Sequence, residues 1–182
     1  MSAGLEMTEN GLDRLQAALR TVLETDYRDL FEVFGGEAVS QTQRRIAEEK
    51  RAPDGSRWPA WSEGYAATRH GNQTLLQSSG ALIESMTHNV LSARSVEVGS
   101  NVAYAAIHNF GGKVRVTAKS RRYFWAQYKK TGDERWKRMA LTKRDSFEIP
   151  QREFLGVSPD DEEDLVALVQ DFLASRMGGL LS

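Results

Sequence analysis

The 182-residue chain lacks cysteine and long apolar runs, and it has only three histidines. Without cysteine it can form no disulfide, thiolate metal site or thiol nucleophile, which fits synthesis in a reducing cytoplasm. No apolar run approaches the roughly 20 residues that a membrane-spanning helix needs. The first ten residues carry Glu6 and Glu9 and lack a basic region followed by an apolar block, so we expect no signal peptide. These absences favour a soluble protein that is not exported.

The residue types of common active sites are present but are not arranged for catalysis. His70, His88 and His108 have no ligand spacing, and no Gly-x-Ser-x-Gly elbow occurs. Neither Gly35-Gly36 nor Gly111-Gly112 is followed by the Gly-Lys-Ser/Thr of a phosphate-binding loop. Carboxylate pairs fall on predicted helices, where acids near an N-terminus are stabilised by the helix dipole. We therefore expect no enzyme, no metal site and no cofactor.

Charge is spread unevenly along a chain whose formal net charge is only -1. Residues 118–145 contain ten Lys or Arg against three acids, and the sequence after Gln151 contains seven acids against two Arg. The two blocks are either complementary surfaces of neighbouring subunits or ordinary solvated helix faces. Aromatic residues interleave with the basic ones in residues 119–144, so nucleic-acid binding is an alternative. At helical spacing, however, the same aromatics suit the buried side of a helical hairpin.

Apolar periodicity predicts the helices. The first contains Leu12, Leu15, Leu19, Val22 and Leu23 with Thr8 as cap, and the second runs from Leu30 to near Arg51, before Pro53. Further helices are predicted over residues 75–86, over residues 102–110 with Asn101 as cap, and after Ser158-Pro159, ended by Gly178-Gly179. The basic residues 118–145 are predicted to form a helical hairpin that is divided at Thr131-Gly132-Asp133.

Short strands are predicted between these helices, at residues 88–91, 95–99, 113–117 and 146–150. The fold class is therefore α+β: N-terminal helices, a small, mostly antiparallel sheet with a helical hairpin insertion, and a C-terminal helix. We divide the chain into an N-terminal helical arm (1–52), an α+β domain (53–176) with a basic helical insertion at 118–145, and a C-terminal tail (177–182).

Four motifs occur in a fixed order from Pro53 onward. They are Pro53-Asp54-Gly55-x-x-Trp58-x-x-Trp61 with Tyr65 and Arg69; Leu75-Leu76-Gln77-Ser78-Ser79-Gly80-Ala81-Leu82-x-x-Ser85; Val96-Glu97-Val98-Gly99-Ser100-Asn101-x-x-Tyr104-Ala105-x-x-His108-x-Phe110-Gly111-Gly112; and Ile149-Pro150-x-Arg152-x-Phe154-Leu155-Gly156-x-Ser158. In this order the chain resembles the phage virion morphogenesis or tail-completion proteins of Mu-like phages. Glu153 departs from the family pattern, which has proline there, and the insertion is longer than in compact members.

This resemblance implies a structural protein that completes the phage tail or joins it to the head at the neck, as an oligomeric ring. Its implied partners are tail-tube and head-connector proteins, and its implied location is the virion, after assembly in the bacterial cytoplasm. The residues expected to form its structural corner are Trp58, Trp61, Tyr104, His108, Phe110, Gly111, Gly112, Arg152, Phe154 and Leu155. We expect Tyr104 and Phe110 to be core residues and His108 to be a hydrogen-bonded structural histidine. The candidate interface residues are Arg121, Arg122, Lys137, Arg138, Asp160, Asp161 and Glu162.

Overall fold

The computed structural model describes residues 13, 16–17, 20–22, 24–66, 69, 71 and 73–177. Within these residues the helices are α1 (Arg28–Arg44), α2 (Glu63–Ala66), α3 (Ala81–Glu84), α4 (Ala105–Phe110), α5 (Ala118–Thr131), α6 (Glu134–Ala140) and α7 (Pro159–Met177). The strands are β1 (Met86–Ser92), β2 (Ser95–Ser100), β3 (Gly112–Arg115) and β4 (Ser146–Ile149). The predicted α+β class is confirmed.

The long helix α1 continues into a π-helical turn, Arg45–Glu49, and stops at Lys50. Lys50 adopts a left-handed conformation (φ 55°), and its ammonium group donates to the carbonyl oxygens of Ile46 and Leu75. The prediction that this helix ends near Arg51, before Pro53, is thus confirmed. The predicted first helix lies largely outside the described residues, which exclude Thr8, Leu12, Leu15, Leu19 and Leu23.

Strands β1 and β2 form an antiparallel hairpin that packs on α1. The two predicted strands and their tight turn are confirmed. Gly35 of α1 lies directly against His88 of β1, because a β-carbon at this glycine would stand 2.3 Å from Cδ2 of the imidazole. His88 Nε2 also lies 3.0 Å from Oε2 of Glu32. Gly35 therefore sets how closely α1 approaches the hairpin.

Two of the predicted helices are shorter than expected. The helix predicted over residues 75–86 is reduced to α3, because Thr74 and Gln77 pair through their backbones and Met86 already belongs to β1. The helix predicted to start beside Asn101 begins instead after Tyr104, without a side-chain cap. In both of these predicted helices, hydrogen bonds between residues close in sequence take the place of the first helical turn.

Strands β3 and β4 form a second antiparallel pair, separate from β1 and β2, where one sheet had been expected. Gly112 pairs with Ile149 and Arg115 with Ser146, so the chain leaves and re-enters the body side by side. Helices α5 and α6 lie between the strands as the predicted hairpin, with Thr117 capping α5 and Asp133 capping α6. We call residues 112–149 the basic finger.

The core of the molecule lies outside the basic finger. It is formed by Ile46, Trp58, Leu82, Met86, Ala105 and Phe154. Helix α7 begins as predicted at Ser158-Pro159: Ser158 Oγ accepts the Asp161 N–H, and Asp161 Oδ2 accepts the Ser158 N–H at 2.8 Å. The predicted end at Gly178-Gly179 lies outside the described residues.

Candidate functional site

The turn that follows α4 is tied to the segment after β4, and this junction forms the base of the basic finger. The backbone N–H of Arg152 donates to the carbonyl oxygen of His108 at 2.8 Å. Asn109 is buried, and its Oδ1 accepts the N–H groups of Phe154 and Leu155 at 2.9 and 3.0 Å. One amide side chain thereby satisfies two backbone donors, of which that of Phe154 is buried.

The paired glycines allow this close contact. Gly111 has a φ of 68°, and a β-carbon there would lie 2.8 Å from the backbone nitrogen of Gln151. Gly112 has a φ of 137°, and its β-carbon position lies 3.1 Å from the Ile107 side chain. A residue with a side chain would strain the backbone at either position. The two glycines therefore permit both the turn and the close approach of the two segments.

The tryptophan-containing loop is held against the same segment. Arg152 is buried; its Nε donates to the carbonyl oxygen of Pro59 at 2.9 Å and its Nη2 to that of Ala60 at 3.2 Å. Trp58 donates from Nε1 to the carbonyl oxygen of Glu153 at 2.8 Å and packs in the core with Phe154. The guanidinium of Arg152 satisfies loop carbonyls, so its role in this structure is to hold the loop.

Two aromatic residues of the predicted corner are exposed, which corrects their assignment to the core. Tyr104 is 43% exposed and Phe110 is 71% exposed. The reason is that α4 buries the face containing Ala105 and Asn109, which leaves both rings on the other side of this short helix. Trp61, by contrast, is half-buried and makes an edge contact with Tyr65.

His108 is partly buried, and one nitrogen of its imidazole does not make the hydrogen bond expected of this side chain. Among the described residues its Nδ1 is buried without a hydrogen-bond partner. Burial lowers the pKa of His108, and the nearby positive charge of Arg152 lowers it further. Burial thus favours the neutral imidazole, while the backbone carbonyl of His108 accepts the hydrogen bond from Arg152 at the junction.

A cleft of about 950 Å³ lies between the basic finger and residues of the segments 59–66 and 73–82. Its lining includes Trp61, Tyr65, Leu76, Tyr104, His108, Val114, Phe124, Met139, Phe147 and Ile149. Tyr65, Tyr104, Val114 and Met139 are large apolar residues that remain well exposed. Apolar surface grouped in this way is typical of protein contact sites.

The basic finger makes most of its contacts within itself. Phe124 stacks on Trp136, and Tyr123 contacts Trp136 edge-on, so aromatic residues hold α5 to α6. Every residue of β3 is exposed. An isolated two-stranded sheet is marginally stable in water. The finger is thus an element whose surface is available to a partner.

The candidate interface residues of the finger have different roles. Arg121 donates to the carbonyl oxygens of Ala140 and Thr142, so it joins α5 to the end of α6. Lys137 lies 3.3 Å from the Glu134 carboxylate. Arg122 and Arg138 are exposed and remain interface candidates.

Of the three acidic candidates on α7, Asp161 is buried and is therefore not an interface residue, which is a second correction. It forms an ion pair with Arg45, which is also buried and donates to the carbonyl oxygens of Phe154 and Gly156 at 2.8 and 3.0 Å. Burial alone raises the pKa of Asp161, but its hydrogen bonds from Ser158 and the charge of Arg45 outweigh this, and the net pKa is lowered. Asp160 and Glu162 are exposed.

The sequence did not reveal Asn109 or Arg45, although both hold the junction together. Asn109 stands within an otherwise ordinary helix, and Arg45 lies among other charged residues, so neither has a local pattern that predicts burial. In the part of the chain that the structure describes, no three His, Asp or Glu residues are grouped to hold a metal ion. None of its described helices combines the length and apolarity needed to cross a bilayer.

Comparison with known proteins identifies the family to which the chain belongs. No curated protein and no solved structure matches the chain significantly. The model of the phage virion morphogenesis family matches residues 5–174, which is nearly the whole chain. This span includes the junction, the cleft and the basic finger. The chain therefore belongs to the phage virion morphogenesis family.

Proposed function

We propose that this protein completes the phage tail and joins it to the head at the neck, as an oligomeric ring and without catalysing a reaction. Its family membership gives it a role in phage virion morphogenesis. The tail or neck position, the ring, and the tail-tube and head-connector partners are the finer parts of the proposal. They are supported by the surfaces that the chain exposes.

The single observation that carries this proposal is the basic finger. It extends from two adjacent strands, leaves β3 fully exposed, and forms one wall of an apolar cleft. The core cluster has no member in this element, whereas an assembly protein can use such an exposed element to contact its neighbours. A structural role in assembly accounts for this exposed surface more directly than chemistry in the cleft does.

The test is to place a stop codon at Gln73 in the gene of the parent phage or prophage and to examine the particles by electron microscopy. We expect filled heads beside unattached or abnormally long tails, and a loss of infectious particles by several orders of magnitude. The matched control is the same mutant supplied with the intact protein from a plasmid, which should restore joined particles. Normal infectious particles from the uncomplemented mutant would contradict the proposal.

Nucleic-acid binding is a second candidate function, and one observation favours it. Tyr123 and Trp125 are exposed on α5 among Lys and Arg residues, as on surfaces where bases stack while cations contact phosphates. Binding to a short duplex should then weaken steeply as salt rises, since counterions are released from the phosphates. Weak binding with a flat salt dependence would remove this candidate.

A further inference from the structure

The charge of the molecule is divided between the basic finger and the rest of the chain. The finger contains twelve Lys or Arg and four Asp or Glu, a net charge of +8. The remaining residues contain twelve Lys or Arg and twenty-one Asp or Glu, a net charge of -9. Two copies placed with the finger of one against the body of the other would attract each other.

Helix α5 has an exposed stripe along one side, and at its edge Tyr123 also contacts Trp136 of α6. Its members recur at helical spacing and are all exposed: Lys119, Arg122, Tyr123, Ala126 and Lys130. Phe124, on the other side of the helix, stacks on Trp136. The stripe therefore has cationic ends and a less polar centre, with Tyr123 53% exposed.

Helix α7 has an exposed stripe of matching spacing and opposite charge. It is formed by Pro159, Glu162, Glu163, Val166, Ala167 and Gln170, which also line one shallow depression. The other face of α7 is already occupied, because Asp161 pairs with Arg45 and Phe172 contacts Tyr27. Val166 remains 47% exposed between acidic and small residues. Nothing among the described residues covers this stripe.

We propose that the α5 stripe of one copy packs along the α7 stripe of a second copy. Lys119 and Arg122 then meet Glu162 and Glu163, while Tyr123 and Ala126 cover Val166 and Ala167. Small and apolar side chains at the centre allow close packing of the helices, and the charges around them fix the partner and the direction. This inference rests on the oligomer of the proposed function and names its contact.

The proposed contact joins the α5 stripe of one copy to the α7 stripe of the next, and each copy has both stripes. Such head-to-tail contacts close into a ring when the rotation between copies permits it. A second copy is favoured over nucleic acid because the acidic stripe has the same spacing as the basic one. In addition, the strongly acidic body of the molecule repels a polyanion.

Cysteine cross-linking tests the contact, because the natural chain has no cysteine. Ala126→Cys and Ala167→Cys are made in separate full-length proteins, mixed, and oxidised. We expect a disulfide-linked dimer containing one of each, since the two β-carbons must come within about 4.5 Å to form the bond. The matched control replaces Ala167→Cys with Ala103→Cys, another exposed alanine. Equal yields from the two mixtures would overturn the proposal.

Charge reversal tests the pairing. Arg122→Glu alone and Glu163→Arg alone should each weaken self-association in sedimentation experiments by roughly tenfold or more, because like charges then face each other. The two changes combined in one chain should restore most of the association. Arg94→Glu, an exposed change in the β1–β2 turn, is the matched control and should have no effect.

Three further results would overturn this contact. They are a wild-type chain that stays monomeric at micromolar concentration, a double reversal that restores nothing, and duplex binding that Arg122→Glu abolishes while self-association is unchanged. The last result would assign the α5 stripe to nucleic acid. The contact and the proposed function can also be separated. If the double reversal restores self-association, but phage lacking the protein still assemble normal tails, the contact is supported and the proposed function is rejected.

Discussion

The Arg45–Asp161 pair shows how single residues join the end of α1 to the start of α7. Arg45 directly follows α1, Asp161 lies in the first turn of α7, and both side chains are almost fully buried. Arg45 also donates to two backbone carbonyls of the segment that follows Arg152. Breaking a buried pair leaves a buried charge without compensation, which is costly.

We expect Asp161→Asn to lower the free energy of unfolding by about 3 kcal/mol, measured by urea denaturation at pH 7. The folded pKa of Asp161 is lowered, so its contribution is complete above the unfolded pKa of about 4 and is lost as pH falls through the folded pKa. Wild-type stability should therefore decline below pH 4 more steeply than that of Asp161→Asn. Asp160→Asn, an exposed neighbour, is the control, and an equal loss in both variants would contradict this account.

The sequence predicted where α1 ends and where α7 begins, but not the contacts between the two helices. Ser158-Pro159 predicted the start of α7 because capping depends on adjacent residues. The burial of Asp161 depends on Arg45, more than one hundred residues earlier, and no local pattern contains that information. Tyr104 and Phe110 were wrongly assigned to the core for the same reason: which face of a short helix is buried depends on its tertiary partners.

At the scale of elements, α1 and the β1–β2 hairpin depend on a glycine. Glycine is a poor helix former, yet α1 passes through both Gly35 and Gly36. Only Gly35 faces the hairpin, and its missing side chain makes room for His88. Helix propensity is thus sacrificed at this position for close packing.

We expect Gly35→Ala to destabilise the protein by about 1–3 kcal/mol, because overpacking against the imidazole exceeds the gain in helix propensity. Gly36→Ala is the matched control, since a β-carbon there meets nothing within 4 Å. This control should be neutral or stabilise by up to about 1 kcal/mol. Thermal denaturation of the two variants side by side gives the comparison, and a Gly35→Ala variant as stable as Gly36→Ala would refute it.

Elements with a strong local pattern were predicted from the sequence, and those defined by pairing were not. The hairpin of α5 and α6 follows from apolar spacing and Gly132, and β1 and β2 follow from alternation around a tight turn. The separation into two sheets was missed, because the partner of β3 lies beyond the whole helical insertion. The cleft was missed as well, since it exists only once the finger lies opposite the segments 59–66 and 73–82.

At the scale of the whole molecule, the body and the basic finger are separable. None of the six core residues lies in residues 112–149, and Gly112 and Ile149 are paired neighbours. Paired residues in an antiparallel sheet have α-carbons about 5 Å apart, a gap that a short turn can close. The body should therefore fold without the finger.

We expect a chain in which residues 113–148 are replaced by a short glycine-containing turn to remain folded, with Trp58 still buried. Its melting temperature should lie within a few degrees of the intact chain, as judged by circular dichroism and tryptophan fluorescence, while self-association is lost. The intact chain measured in parallel is the control. An unfolded product would show that the finger is required by the body, and an unchanged oligomer would show that it is not the contact element.

The adjacent ends of the β3–β4 pair also have a consequence for how such a gene can change. An insertion or deletion between these two strands alters the length and charge of the finger in one genetic event and leaves the residues of the core untouched. If the finger makes the contact proposed above, recombination at this point exchanges the partner while the core keeps its residues. The boundary between the body and the finger lies at Gly112 and Ile149.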